Sequence, residues 1–356
     1  MIKKDFDKDL FHETFSCLHA SDTIYEEVLE MAENNKKQKK HYIPKKMAVA
    51  CAFAVAASGI TVFAAAKGGF FQSTFGSKGH TNIEAHPVTD DGQSWMAPSR
   101  DWEEVDEDAA AKLTGGQVVQ IGDSVSVYGY TLTIDEYMID ENGIGAVTYT
   151  LSNPDGLEGI SFSEYGDYYV TPDCPMSEIS MWSTSEKMFD TRSIADQTKT
   201  TETELHAVLY FAPFEKLEEE EGILIRHSGY EWDENGEILS HEQEDITFIP
   251  DEFITSSAYT NEAGYTAHVS PIGILIDGPV FEMEKPEWIH DKLIITYTDG
   301  SVYQAANTDV LNEILSCYDD DGALLAVFNR LVDTDKISSI TVNGPDGADL
   351  VFTAKP

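Results

Sequence analysis

An uncharged stretch of twenty residues, 47–66, constrains this chain more than any other feature of the sequence. At about 1.5 Å of rise per residue, a helix of this length spans the roughly 30 Å hydrocarbon core of a lipid bilayer. Nine of its residues are alanine, so the stretch is only weakly apolar. We predict a transmembrane helix here because lysines precede the stretch and a strongly acidic region follows it.

The charges on either side of this stretch predict its orientation. Six lysines lie between residues 36 and 46, whereas Lys67 and Lys78 are soon followed by acidic residues. Positive residues stay on the cytoplasmic side, so residues 1–46 are expected inside the cell and everything after the span outside. The alternative is a cleaved signal peptide, with Ala64–Ala66 as the cleavage site. A retained span is favoured because the preceding segment is about three times longer than a usual n-region.

The net charge of −41 belongs almost entirely to the part of the chain after the predicted span. Residues 1–46 hold nine lysines and nine acidic residues, whereas 14 basic and 55 acidic residues follow residue 66. So acidic a region argues against binding to nucleic acid or to an anionic lipid surface. It is typical of a solvated domain outside the cell membrane.

The four cysteines are too few for a disulfide framework. Cys17 is expected in the cytoplasm and Cys51 in the membrane, which leaves Cys174 and Cys317 as the possible pair outside. These two fall in different predicted domains, so their pairing stays open.

The segment before the span has the apolar spacing of two short amphipathic helices. Phe11, Phe15 and Leu18 recur at i, i+4 and i+7. A second helix is expected to begin at Thr23, whose spacing to Glu26 is that of a capping box. The apolar stripe of this second helix consists of Ile24, Val28 and Met31, with Leu29 beside it.

Two helices so short cannot bury their apolar faces against each other alone. Those faces are expected either to meet the membrane or to bind a partner protein, a recognition mode known for amphipathic helices. A helical hairpin without a partner is the alternative. The residues predicted to bind a partner are Phe11, Phe15, Leu18, Ile24, Val28 and Leu29.

No motif in the sequence predicts a metal site, a cofactor or catalysis. His12, Cys17 and His19 lack a usual zinc spacing. The segment 231–242 nearly fits a calcium-binding EF-hand loop, but its flanks are strand-like, and its Asn-Gly pair at 235–236 favours a hairpin turn. A nucleophile elbow, a P-loop, a dinucleotide fingerprint and a zinc-protease motif are all absent from the sequence. We therefore expect a protein that is not an enzyme, with no catalytic, cofactor-binding or metal-binding residues.

Residues 67–116 read as a stalk after the span, because glycines and polar residues punctuate them. Phe70, Phe71 and Phe75 are expected near the membrane interface, where aromatic residues are common. A short helix is predicted within 102–113.

From residue 117 the hydrophobic period changes to two, which predicts β-strands. Residues 117–251 are predicted to form one antiparallel sandwich with an irregular insertion at 174–203, and 252–356 a second, smaller one with helical turns at 308–315. The predicted fold class is mainly β: two immunoglobulin-like antiparallel β-sandwich domains outside, one transmembrane helix, and a short α-helical cytoplasmic segment.

Several stretches, taken in order, give the layout a resemblance to a known family. They are 14–21 before the lysine-rich approach to the span, Phe75-Gly76, 121–125 with 129–134, 269–274, 293–301, and 332–337 before Val342-Asn-Gly. The layout resembles single-span anti-sigma factors of Gram-positive bacteria, of the extracytoplasmic-function type, with uncharacterised immunoglobulin-like ectodomains.

This resemblance implies a function for each part of the chain. The cytoplasmic segment, 1–46, is expected to hold an extracytoplasmic-function sigma factor, and the outer domains are expected to sense the state of the envelope through an unknown ligand. The chain lacks the zinc-binding H-x3-C-x2-C motif of other anti-sigma domains. The alternative is a membrane-anchored extracellular binding or adhesion module with no transcriptional role.

Overall fold

A computed structural model gives the fold of most of the chain after the predicted span. It describes residues 69–85, 96–157, 159–162, 168–170, 174–196, 199–218, 221–232, 238–277, 292–307, 310–311, 313–318, 323–343 and 348–354. The predicted cytoplasmic helices and the predicted span at 47–66 lie outside these ranges. Neither helix in the described ranges has the length and apolar character needed to cross a membrane.

The described chain is mainly β, as predicted. It has two helices, α1 (Phe70–Phe75) and α2 (Glu107–Leu113), and one 3-10 turn at Thr334–Lys336. The strands β1 to β22 are Ser77–Ala85, Met96–Trp102, Val119–Val127, Tyr130–Ile139, Gly145–Ser152, Ile160–Phe162, Tyr168–Val170, Met176–Ser183, Phe189–Ala195, Glu204–Pro213, Ile223–Trp232, Ile238–Phe248, Ser257–Thr260, Thr266–Val269, Gly273–Asp277, Lys292–Tyr297, Val302–Asn307, Val310–Leu311, Glu313–Tyr318, Leu324–Phe328, Ile337–Asn343 and Asp349–Ala354. Their ladders are antiparallel, which confirms the predicted sheet type.

Strands β3 to β12 build the first sandwich. One sheet has the order β3-β4-β5-β10-β9 and the other has the order β12-β11-β8, while β6 and β7 pair only with each other. Alternating apolar residues from both sheets fill the space between them. The buried residues of this core include Leu132, Ile134, Tyr149, Leu209, Phe211, Ile225 and Ile246.

Strands β13 to β22 build the second sandwich. They form one sheet of ten strands in the order β18-β17-β16-β21-β22-β13-β14-β15-β20-β19. The sheet folds over at the short pairing of β22 with β13, so that its two halves face each other. The core between the halves includes Tyr259, Ile274, Ile276, Leu293, Ile295, Phe328, Ile340 and Phe352.

The two sandwiches follow the same path. Each begins with a three-strand meander, β3-β4-β5 or β13-β14-β15, crosses to the opposite sheet at β8 or β16, and returns as a hairpin beside the meander, β9-β10 or β19-β20. Each then ends with a hairpin in the opposite sheet, β11-β12 or β21-β22. The two sandwiches in the described part of the chain therefore share one β topology. Among the described residues, the first sandwich has the additional β6-β7 pair, whereas the second has the added strands β17 and β18 and a β22-β13 pairing that joins its two halves into one sheet.

Helix α2 begins where the sequence supplies a cap. The side chain of Asp106 accepts a hydrogen bond from the backbone N–H of Ala109 at 3.0 Å. Glu107 and Asp108 occupy the first turn and Lys112 the last, so the charges complement the helix dipole. This helix lies within the range predicted for it.

Three local predictions differ from the structure. The segment 174–203, predicted to be irregular, contains strands β8 and β9, and 308–315, predicted to be helical, contains β18 and the start of β19. Ladder pairing with β11, β10, β17 and β20 decides these segments against their weak local propensity. Residues 69–76, predicted to belong to a stalk, are packed against the sandwiches, because three phenylalanines bury more apolar surface there than an exposed stalk permits.

Candidate functional site: the joint between the sandwiches

The two sandwiches meet through the outer faces of their equivalent sheets. Strand β10 is apolar on both faces: Leu209 and Phe211 point into the first core, whereas Val208 and Tyr210 point away from it. Strand β20 is apolar on both faces in the same way. The outward residues form a third apolar cluster, which we call the joint. It contains Met138, Ile144, Ala146, Ile194, Val208, Tyr210 and Ala212 of the first sandwich with Ile272, Leu325 and Val327 of the second and Ile254 of the linker between them.

Helix α1 completes this joint. Phe70, Phe71 and Phe75 belong to the same cluster and are at most 2% exposed. The rings of Phe70 and Phe71 meet edge to face with their centroids 5.6 Å apart. A six-residue helix is too short to be stable alone, so the packing of these rings holds it in place.

Hydrogen bonds fix α1 to the first sandwich and to the approach to α2. The hydroxyl of Tyr210 in β10 donates to the backbone carbonyl of Thr74. The side-chain amide of Gln72 donates to the carbonyl of Glu103 at 2.9 Å and accepts from the N–H of Val105 at 2.7 Å. The nitrogen and the oxygen of the Gln72 amide thus both connect α1 to the segment that precedes α2.

A buried carboxylate lies at the contact between two equivalent turns. Asp140 directly follows β4 and Ser270 directly follows β14, and neither residue is exposed to solvent. The Ser270 hydroxyl donates to Oδ2 of Asp140 at 2.6 Å. Oδ1 accepts the backbone N–H groups of Asn142 at 2.8 Å and Ile144 at 3.0 Å, and the Asn142 amide donates to Oδ2 at 3.3 Å.

The backbone of the linker reinforces this contact. Ile254 N–H donates to the carbonyl of Ile139 at 2.9 Å, and Glu141 N–H donates to the carbonyl of Ile254 at 3.1 Å. These two bonds form a parallel bridge between Asp140 and Ile254. The linker thus continues the edge of the first sandwich before the second begins.

Burial governs the ionisation of Asp140. Desolvation raises the pKa of this carboxyl from 3.8 to about 6, although the hydrogen bonds from Ser270, Ile144 and Asn142 act in the opposite direction. Within the described part of the chain, none of its hydrogen-bond donors carries a charge. The charged form of Asp140 is therefore held by neutral groups alone.

A glycine permits the close approach of the second sandwich to this turn. A Cβ atom on Gly273 would lie 2.7 Å from Cγ2 of Ile144 and 2.8 Å from the carbonyl oxygen of Ala326. Backbone atoms cannot give way as a flexible side chain can, so any larger residue at this position separates β15 from β20 or from the first sandwich.

A polar cleft of about 140 Å³ lies beside α1. The register of β4 against β5 shifts between Ile134 and Glu136, so that Asp135 and Glu136 both line this cleft. Its other lining residues are Gly69, Phe70, Ser73, Thr148, Tyr149, Asp196, Lys199, His206, Ala207 and Val208. Lys199 donates to the Ser73 hydroxyl at 2.6 Å, which connects the cleft directly to α1.

The cleft holds more negative than positive groups. Burial raises the pKa of Asp135, and it raises the pKa of Glu136 with a contribution from the charges of Asp135 and Glu107. Thr150 donates to Asp135 at 3.0 Å and lies 3.2 Å from Nδ1 of His206. These residues form a hydrogen-bonded chain on the sheet surface.

The sequence-predicted sites fall in different parts of the chain. The residues predicted to bind a partner, Phe11, Phe15, Leu18, Ile24, Val28 and Leu29, lie outside the described residues, as does the His12 cluster. Glu231 and Glu242 lie on the paired strands β11 and β12, and among the described residues no three His, Cys, Asp or Glu side chains are placed to hold a metal ion. Cys174 is a free, buried thiol that donates to the Tyr130 hydroxyl at 3.4 Å.

Sequence reasoning missed the joint, but the sequence carries a signal of it. Strands exposed on one face alternate in polarity, whereas 207–212 and 323–328 are continuous apolar runs. Such a run indicates a strand covered on both faces. Because each predicted sandwich contains one such run, the sequence indicates that the outer faces of two strands are covered, as they are at the joint.

No family model and no curated protein matches the sequence. A solved structure described as "The crystal structure of the conserved domain protein from Bacillus anthracis" is similar with a TM-score of 0.37 and 11% sequence identity, over 65% of this chain and 79% of that one.

Proposed function

We propose that the chain is a membrane-anchored anti-sigma factor. In this proposal residues 1–46 hold an extracytoplasmic-function sigma factor in the cytoplasm, 47–66 cross the membrane, and the β-sandwiches respond to a signal in the envelope. The support comes from the lysine-rich approach to an uncharged stretch, the acidity confined to the region beyond it, and the apolar stripes of the N-terminal segment.

The placement of α1 is the observation that carries the proposal. Helix α1 begins at Phe70, four residues after the end of the predicted span at Ala66. Its phenylalanines are buried in the joint, so a change in how the sandwiches pack displaces the chain next to the span. A ligand that binds the sandwiches and alters their packing at the joint would then change the position of α1, which only a few residues separate from the predicted span.

We further propose that both sandwiches are immunoglobulin-like. The constant-type immunoglobulin order places strands A-B-E-D in one sheet and C-F-G in the other. The order β4-β5-β10-β9 opposite β8-β11-β12 has the same succession, with β3 as an added first strand. In the second sandwich β14-β15-β20-β19 faces β16-β21-β22, and β17 and β18 lie where variable-type domains add two strands. Immunoglobulin-like domains bind many kinds of ligand. The likeness therefore supports the proposed fold class, but it does not indicate which envelope signal the sandwiches detect.

The experiment that tests the function is a pull-down of sigma factors from detergent-solubilised membranes. The bait is the tagged full chain, and the control is the same protein starting at Lys36. We expect a sigma factor on the full chain and none on the control. If neither form retains a sigma factor, the proposed function is wrong, and an anchored binding or adhesion module takes its place.

A further inference from the structure

We propose that the contact between Asp140 and Ser270 is a protonation switch that tightens the joint when the surroundings of the sandwiches become more acidic. The switch is a property of the two sandwiches themselves. Its use as the signal that reaches the sigma factor rests on the proposed function.

The surroundings of the Asp140 carboxylate favour the uptake of a proton. Asp140 is fully buried between the two sandwiches, and every hydrogen bond that it accepts comes from a neutral donor. A buried carboxylate without a cation keeps the full desolvation cost of its charge. Taking up one proton removes that cost.

The hydrogen bonds around Ser270 suit both protonation states of Asp140. With Asp140 charged, the Ser270 hydroxyl donates to Oδ2 at 2.6 Å. With a proton on Oδ2, that proton is donated to Oγ of Ser270, and the serine hydroxyl turns to the carbonyl of Gly273 at 3.4 Å. Oδ1 keeps the N–H groups of Asn142 and Ile144 in both states. Both the carboxyl group and the Ser270 hydroxyl therefore keep hydrogen-bond partners after protonation, with Oγ of Ser270 shared among the new proton and the backbone N–H groups of Ile272 at 3.3 Å and Gly273 at 3.1 Å.

Other titratable groups on the segments packed around this turn are more exposed. Glu141 on the same turn, Asp251 and Glu252 on the linker, and Asp277 on β15 are exposed, and the side chain of His268 on β14 is 35% exposed and pairs with Asp277. Solvent screens the charges of exposed groups. Burial, which raises the pKa of Asp140 to about 6, therefore sets the pH at which the contact changes.

The direction of the effect follows from this raised pKa. A carboxyl that ionises at a higher pH in the folded protein than in the unfolded chain stabilises the fold when it is protonated. The joint gains stability as the pH falls from about 6 towards 3.8 and loses it as the pH rises through about 6.

Hydrogen exchange on the full chain tests the switch. The readout is the protection of the amides of Asn142 and Ile144, which donate to the carboxylate, corrected for intrinsic exchange at each pH. Between about pH 7.5 and about pH 5 we expect their protection to rise about tenfold in the wild type. Asp140→Asn should abolish this rise, and Glu141→Gln, on the exposed neighbour, should leave it unchanged. An equal rise in Asp140→Asn would overturn the switch.

A second variant keeps the test decisive if Asp140→Asn does not fold. Ser270→Ala retains the carboxylate and removes its closest donor. Loss of this hydrogen bond disfavours the charged form, so the midpoint of the protection change should move upward by about one pH unit. A midpoint that does not move would overturn the switch.

Retention of the sigma factor over the same pH range separates this inference from the proposed function. A chain that retains no sigma factor at either pH, but shows the change in protection, overturns the proposed function and supports the switch. Unchanged protection in a chain that retains a sigma factor supports the proposed function and overturns the switch.

Discussion

The hydroxyl of Tyr210, on the outward face of β10, donates a hydrogen bond to the backbone carbonyl of Thr74 inside α1. Both residues are completely buried, and the bond joins elements that lie 136 positions apart in the sequence. It ties the segment nearest the predicted span to a strand that is packed on both faces. Because α1 has only six residues, this bond and the phenylalanine packing decide whether it stays in place.

We predict that Tyr210→Phe loosens α1 without disturbing either sandwich core. The carbonyl of Thr74 loses its partner in a buried place, which costs about 1–3 kcal/mol. The amides of Ser73 and Gly76, which close the turns of α1, should then exchange about tenfold faster or more. The measurement is hydrogen exchange followed peptide by peptide.

Tyr303→Phe provides the matched control. Tyr303 is also a buried tyrosine, and its hydroxyl donates to Asn329 in the second sandwich at 3.2 Å. This control should leave exchange in α1 unchanged. Equal effects of the two variants on α1 would show that the Tyr210 bond has no local role.

The close contact at Gly273 predicts that the joint is sensitive to a single methyl group. Gly273→Ala should destabilise the protein by about 1–3 kcal/mol, because the added carbon meets backbone as well as the side chain of Ile144. Thermal unfolding measures this loss. Gly264→Ala is the control: a methyl group there would find no atom within 4 Å, although the φ of Gly264 is +91°. It should cost about 1 kcal/mol from backbone strain alone, and a larger loss than at Gly273 would contradict the argument.

Acid should break the hydrogen bonds that join Glu221 to the turn between β8 and β9. Burial alone would raise the pKa of Glu221, but hydrogen bonds from Glu218 N–H, Ser183, Ser185 and Lys187 outweigh it and lower the pKa to about 2. The Glu221 side chain is 4% exposed and lies 3.1 Å from Nζ of Lys187. Since the folded pKa is lowered from 4.5, this stabilisation is complete above about pH 4.5 and is lost as the pH falls through about 2.

Glu221→Gln should therefore lower the free energy of unfolding by about 2 kcal/mol at neutral pH. The difference from the wild type should shrink as the solution is acidified below about pH 4.5. Denaturant unfolding at several pH values measures it. Glu218→Gln, on an exposed side chain in the same segment as Glu221, between β10 and β11, should leave the free energy of unfolding unchanged. If the difference in the free energy of unfolding between Glu221→Gln and the wild type stays constant down to about pH 2, the Glu221 carboxylate does not stabilise this turn as proposed.

The apolar stripes of the N-terminal segment predict where the sigma factor binds. Phe15→Asp and Val28→Asp should each reduce retention of the sigma factor at least tenfold, since each places a charge within an apolar contact. Ser16→Asp adds the same charge about 140° away from Phe11 around the predicted helix, and it should leave retention unchanged. Equal retention by all three variants would remove this segment from the interface.

Much of the β architecture could be predicted from residue patterns. Alternation in 130–134 and the Asn-Gly pair at 142–143 are typical of a hairpin, which the structure forms from β4 and β5, and the Asp299-Gly300 pair is typical of the turn found between β16 and β17. These features are local, since a turn and a period of two depend on residues that are neighbours in the chain. Strand β8 is not evident from local patterns because its partner, β11, is distant in the sequence. Strands β9 and β19 pair with the next strands along the chain, β10 and β20, but their residues do not show a clear strand pattern.

The candidate site could not be predicted in the same way. A buried Asp140 has no distinctive sequence signature, since it follows a strand and precedes Asn142-Gly143 like an ordinary turn residue. Only the packing of a second, equivalent turn against it excludes water. Aromatic residues suit both a membrane interface and a buried core, and composition does not distinguish the two, so the sequence does not reveal that the phenylalanines of α1 are buried in the joint.

The topology that the two sandwiches share makes their joint comparable to the interface of a homodimer. Asp140 and Ser270 occupy equivalent positions, as do the doubly buried strands β10 and β20, so the contact joins like with like. This is the arrangement of an isologous homodimer interface, in which one patch meets a second copy of itself. The chain is in effect a tethered dimer of one β unit. Because the two linked units differ in sequence, an acid in one faces an alcohol at the equivalent position of the other, an asymmetry that identical subunits do not permit.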